Sequence, residues 1–167
     1  MHSIRHAGRR AIRLLPCLLL AAAVAQLTAC RRQLVYYDYR PTPMEGWEQG
    51  DTLHYHIDTL RQSARLAMSL GVRSSASTPY PFQTLWLVVR QHWHNPESVR
   101  CDTVECRLTS ADGDVQGTGV SIYQVEQPFM TFDAPEGASA DISICHIMRR
   151  EMLSGITDIG VRIERAD

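Results

Sequence analysis

The sequence predicts an all-β fold, an antiparallel β-sandwich of about eight or nine short strands. Three observations predict it. Apolar residues recur with a period of two from Asp51 onward, the pattern of strands with one buried face. Turn-forming residues fall between these runs. No long stretch carries helical periodicity, and the only helix-like piece, Cys145–Leu153, reads as a loop or a single turn. A chain of 167 residues with 44% apolar content suits one domain plus an appendage.

The appendage comes first. The first thirteen residues carry four arginines (Arg5, Arg9, Arg10, Arg13) and no acid, and residues 14–25 are almost wholly apolar. A basic head followed by an apolar run is the layout of a bacterial export signal. The run is interrupted by Gln26 and Thr28, short of the ~20 residues that a comfortable spanning helix needs. Leu27-Thr28-Ala29-Cys30 then has the form of a lipobox, with a small residue before the cut and a thiol after it to carry lipid. Two or three acyl chains on one residue, at about 0.8 kcal/mol per buried methylene, make a stable anchor. The chain therefore divides into a lipoprotein signal peptide over residues 1–29, a lipid-anchored tether over 30–50 and a β-sandwich domain over 51–167, with Cys30 as the lipidation site. Within the tether Leu34–Tyr39 reads as extended, Pro41 and Pro43 exclude helix, and Trp47 is expected to dock on the domain surface.

The strands of the domain follow in order. Leu53, Tyr55 and Ile57 alternate with His54, His56 and Asp58. Leu66, Met68, Leu70 and Val72 alternate with smaller or polar residues. Leu85, Leu87 and Val89 alternate with Trp86, Val88 and Arg90, a strand expected to be covered on both faces. Val104, Cys106 and Leu108 form the next run, and Ile159, Val161 and Ile163 the last. Asn95-Pro96-Glu97, Asp112-Gly113 and Pro135-Glu136-Gly137 supply the turns between them. The predicted core is Leu53, Tyr55, Leu66, Met68, Leu70, Leu85, Leu87, Ile159, Val161 and Ile163.

Charge and motifs exclude more than they assign. All 17 basic residues are arginine, and beyond Leu14 there are 13 arginines against 18 acids. A mildly acidic body has no electrostatic footprint for nucleic acid. Absent lysine removes Walker-type phosphate binding and Schiff-base chemistry. There is no G-x-S-x-G elbow, and Gly117-Thr118-Gly119 lacks the third glycine and the helix of a nucleotide loop. Cys145 and His146 are neighbours in sequence and so point to opposite faces of a strand. No catalytic residue and no cofactor is assigned, and the chain is read as a non-enzyme.

Three features remain. His54-x-His56 and His92-x-His94 each project two imidazoles to one side of a strand, and four histidines on adjacent strands would suit zinc or copper. No cysteine or carboxylate completes either pair at a familiar spacing, so the favoured reading is two solvent-facing pairs, with no metal assigned and these four as candidates. Trp47, Trp86 and Trp93 are candidates to stack on a glycan, or cover a sheet edge or interface. Cys101 and Cys106, about 16 Å apart along one strand, cannot bond to each other. Either one of them pairs with Cys145 or all three are buried thiols.

At the carboxyl end, Met148-Arg149 followed by Leu153-Ser-Gly155-Ile156-Thr-Asp158-Ile159-Gly160-Val-Arg162-Ile163-Glu164 resembles the closing signature of the gliding-motility lipoprotein GldH family of Bacteroidetes. Other marks agree in order: the lipobox at Cys30, Tyr39 and Pro43 before Trp47, Asp51, Arg73, Tyr80-Pro81 before Leu85-Trp86-Leu87, Asp102-Thr103, Asp112-Gly113, Gly117-x-Gly119 and Pro135-x-Gly137. Physically they read as scaffold. Gly155 and Gly160 suit a turn and a close strand approach. The resemblance implies a non-enzymatic outer-membrane lipoprotein, lipid-anchored and facing the periplasm, that acts with gliding machinery and the linked type IX secretion apparatus. Its partners would be other envelope lipoproteins or secretion and gliding components, with no nucleic acid.

Overall fold

The computed structural model describes residues 33–166. Residues 1–29, expected to be a signal peptide, and the expected lipidation site Cys30 lie outside the described residues. Among the described residues there are ten strands and no helix: β1 (Leu34–Pro41), β2 (Trp47–Glu48), β3 (Leu53–Ile57), β4 (Ala64–Ser75), β5 (Thr84–His94), β6 (Ser98–Arg107), β7 (Ile122–Ala134), β8 (Ser139–His146), β9 (Met152–Leu153) and β10 (Ile156–Arg165). They form a sheet in the order β1-β10-β4-β7, a second in the order β3-β8-β5-β6, and a two-stranded ribbon β2-β9. All pairings are antiparallel. The expected all-β fold is the observed one.

The period-two runs build the core. Leu66, Met68, Leu70 and Val72 of β4, Leu85, Leu87 and Val89 of β5, and Ile159, Val161 and Ile163 of β10 are all buried in one cluster. Each such side chain contributes about 1.5–3 kcal/mol when removed from water. Of the predicted core only Leu53 is half-buried; it opens an edge strand. β5 departs from expectation. Its inner face is sealed, but Trp86 and Arg90 on the outer face are exposed, because no third layer covers the second sheet.

Three expectations are corrected. The stretch read as a tether is built into the domain: β1 pairs with β10 from Leu34 to Pro41. Trp47 is not on the surface but fully buried. Its backbone pairs with Leu153, and its indole Nε1 donates to the Asp51 carbonyl at 3.0 Å. Glycine and charge around Trp47 suggested exposure, whereas a partner far along the chain buries it. The helix-like stretch 145–153 holds the end of β8 and all of β9. Here alternation continues through Ala140, Ile142 and Ile144 to His146, which takes an inward apolar position because both ring nitrogens are satisfied. Nε2 donates to the Trp47 carbonyl at 3.1 Å, and Nδ1 accepts from the Met148 amide at 3.4 Å.

Gly155 adopts φ +88°, and a Cβ there would lie 2.6 Å from the Thr78 carbonyl oxygen, so the turn into β10 needs glycine. Gly71 and Gly160 face each other across β4 and β10. The ring of Tyr39 lies flat over both, where a Cβ on Gly160 would sit 2.6 Å from its Cζ.

Candidate functional site

The outer faces of the two sheets carry the chemistry. On the second sheet the outward positions of β3 are His54 and His56, and those of β5 include His92 and His94, so the alternation places all four as expected. The two strands are not neighbours, because β8 runs between them. In register, His56 stands beside Asp141, and Asp141 beside His92.

Asp141 therefore bridges the two histidine pairs. His56 Nδ1 donates to its Oδ1 at 2.7 Å, and His94 Nε2 donates to its Oδ2 at 3.0 Å. The β5–β6 hairpin, with Asn95 at φ +54°, brings Glu97 back under the other pair. His92 Nε2 donates to Glu97 Oε1 at 2.6 Å, while His94 Nδ1 lies 3.8 Å from Oε2. The rings of His92 and His94 are 4.3 Å apart between centroids. The result is a continuous chain, His56–Asp141–His94–Glu97–His92. His54 lies one row away beside Ser143 and takes no part in it.

The charges reinforce one another. The hydrogen bond from His92 holds the Glu97 carboxyl below the usual carboxylate range. Those from His56 and His94 do the same to Asp141, and the Asp141 bond raises His56. His54, His56, Asp141 and His92 border a shallow depression of about 380 Å³. Sequence reasoning missed both carboxylates. Glu97 had a signal, three residues past His94 across an Asn-Pro turn. Asp141 had none, since its place depends on which strand pairs with which.

The outer face of the first sheet is built differently. The Arg73 guanidinium lies over the Tyr39 ring, 3.8 Å from its centroid, and its Nε donates to Gln124 at 3.1 Å. Arg162 reaches both carboxylate oxygens of Glu126, at 3.1 and 3.2 Å, and also bonds Glu164. Four marks of the expected family, Tyr39, Arg73, Gly160 and Arg162, thus meet on one surface as scaffold.

The tryptophans do not share a surface. Trp47 is in the core, Trp93 packs edge-on against Phe132 at 4.8 Å, and Trp86 stands on the outer face of the second sheet. Cys101 is exposed, Cys145 half-buried and Cys106 buried, all as free thiols; burial pushes the Cys106 thiol up to about 12.

Fold and surface together describe a small β-sandwich module whose outer faces carry a histidine–carboxylate row on one sheet and an aromatic–arginine stack on the other. The GldH lipoprotein family model matches residues 34–163, so the chain belongs to that family. Gliding motility lipoprotein GldH of Flavobacterium johnsoniae is 25% identical over 158 residues, covering 90% of this chain and 96% of that protein. A protein of Christiangramia forsetii described as a GldH homolog is 22% identical over 151 residues, covering 84% and 89%. Among solved structures, a GH115 4-O-methyl-α-glucuronidase is similar at a TM-score of 0.38 and 13% identity, over 83% of this chain and 18% of that one. That likeness carries no functional assignment.

Proposed function

We propose that this chain is a non-enzymatic lipoprotein, anchored in the outer membrane through lipid on Cys30 and facing the periplasm. There it acts as an interaction or structural component of gliding-motility and type IX secretion-associated envelope machinery. The observation that carries this reading is the family match across 34–163 behind a Leu-Thr-Ala-Cys tetrad. A rigid sandwich with buried inner faces and polar outer faces supports a role in contact rather than turnover. The alternative is a periplasmic or surface ligand-binding lipoprotein that takes glycan or metal, and the scattered tryptophans speak against its glycan form. Arg31-Arg32 after the lipid site, with no acidic run, supports the periplasmic side.

Two experiments test it. Cys30→Ala is expected to abolish incorporation of labelled fatty acid and release the protein from membranes; label retained in the variant overturns the anchor. Affinity recovery of the lipidated protein from its own envelope is expected to bring down secretion or gliding components. Recovery of a clean monomer overturns the proposed role.

A further inference from the structure

The histidine–carboxylate chain on the second sheet does something that ion pairing alone does not require. Two imidazoles on alternate positions of β5 converge on one carboxylate from the following turn. We propose that His92, His94 and Glu97 form a binding site for a Zn²⁺-class divalent metal ion, with Asp141 and His56 supporting it from behind. The site goes beyond the envelope role and does not depend on it.

The geometry points to this in three steps. The first is the donor set. One ligand atom each from His92, His94 and Glu97 lies within 4.8 Å of the others. Donors around a tetrahedral ion at about 2.1 Å sit roughly 3.4 Å apart. His92 Nε2 lies 2.6 Å from Glu97 Oε1 and His94 Nδ1 lies 3.8 Å from Glu97 Oε2, so each imidazole faces one oxygen of the same carboxylate at a separation near that spacing. Rotation of the two half-buried imidazoles and the exposed Glu97 side chain would bring all three donors to one point.

The second step is the tautomer. His94 Nε2 donates to Asp141, which places its proton there and leaves the Nδ1 lone pair directed toward Glu97. A metal-bound histidine whose other nitrogen donates to a carboxylate is the recurrent supporting arrangement of such sites. Asp141 is itself held by His56, so the support has a second tie. At His92 the ion takes the place of the proton shared with Glu97, and the neutral ring keeps its proton on Nδ1.

The third step is selectivity. Two imidazoles and one carboxylate suit zinc, copper or nickel, whereas magnesium and calcium prefer oxygen donors throughout. Three protein ligands also leave a coordination position open to water.

The test is calorimetric titration of Zn²⁺ into the lipidated mature chain in detergent, followed by Co²⁺ absorption spectroscopy. One equivalent of Zn²⁺ is expected to bind. His92→Gln, His94→Gln and Glu97→Gln should each weaken binding at least tenfold. Asp141→Asn, which removes the carboxylate that His94 Nε2 donates to but no ligand atom of the ion, should weaken it by about 10–100-fold as a positioning residue. His54→Gln and Cys101→Ser should change nothing, and Co²⁺ should show visible bands without a thiolate charge-transfer band. The substituted residues are at the surface, so unchanged melting temperatures confirm that the variants are folded. Absence of saturable Zn²⁺ binding overturns the site. So does binding that survives the His92→Gln/His94→Gln double variant or disappears with Cys101→Ser.

Discussion

The outer faces of the two sheets begin from the same pattern, polar residues at alternate strand positions, and end as different surfaces. On the first sheet, glycines at 71 and 160 leave a flat patch on which Tyr39 lies down, with Arg73 stacked on top. The side chains there are spent on one another. On the second sheet every outward position near the hairpin carries a full side chain, and the imidazoles of His56, His92 and His94 bond to the carboxylates of Asp141 and Glu97 with part of their surface still in solvent. A glycine pair under an aromatic turns a sheet face into structure, whereas a histidine row leaves it free for a ligand. If that contrast holds, variants of the first face should act on stability, and those of the second on binding alone.

The largest effect is expected at Tyr39. Tyr39→Ala should cost about 2–3 kcal/mol in chemical denaturation, below the ~3–5 kcal/mol typical of a fully buried aromatic. Tyr39→Phe should be neutral or stabilising, because the Tyr39 hydroxyl is buried without a hydrogen-bond partner and removing such a group removes a desolvation cost. A Phe variant as damaged as the Ala variant would contradict the stacking account.

Next come the glycines beneath the ring. Gly71→Ala and Gly160→Ala should each cost about 1–3 kcal/mol through overpacking. In a Tyr39→Ala background the cost should shrink, since the clash is with Tyr39 itself. A double-mutant cycle reads this coupling, and strict additivity would place the constraint elsewhere.

His146 sharpens the contrast by showing what a structural histidine does. Burial lowers its pKa, against opposing hydrogen bonds to the Trp47 and Glu48 backbone and the Asp51 charge. The unfolded chain then takes up a proton at higher pH than the folded one. Stability is intact above the ordinary histidine range, near pH 6.5. It falls as pH drops through that value toward the depressed one. Denaturation midpoints between pH 7.5 and 5 should show this slope, and His146→Gln should flatten it.

The smallest effect is expected on the second face. His92→Gln, His94→Gln and Glu97→Gln, measured without metal, should stay within about 0.5 kcal/mol of the parent. A larger loss would make that row a structural element and erase the difference between the faces.

Much of this was legible in the chain, and what was not has a common cause. Alternation alone placed Leu66–Val72, Leu85–Val89 and Ile159–Ile163 inward, and the four histidines outward. The family resemblance, not the alternation, singled out Gly155 and Gly160 as suiting a turn and a close strand approach. Illegible were the facts that depend on pairing. β8 lies between the histidine strands, Asp141 sits between the two pairs, and Trp47 finds Leu153. Period two tells which way a side chain points, but the neighbour it meets is set by sheet order and register, and these are properties of the whole chain. β1 was misplaced for the same reason, being extended in either reading and assigned only by its partner.

That edge position of β1 has a mechanical consequence. Only Arg31, Arg32 and Gln33 separate Cys30 from Leu34, so the chain between lipid and first strand spans no more than about 14 Å at full extension. A load arriving through a lipid on Cys30 would enter the domain at its first strand, β1. Directed along β1, it would act on all seven paired positions with β10 together, in shear rather than by peeling them one at a time. Shear-loaded pairing resists force better than an edge opened one bond at a time, so the place of β1 beside β10 would let the sandwich bear a pull from its amino-terminal side.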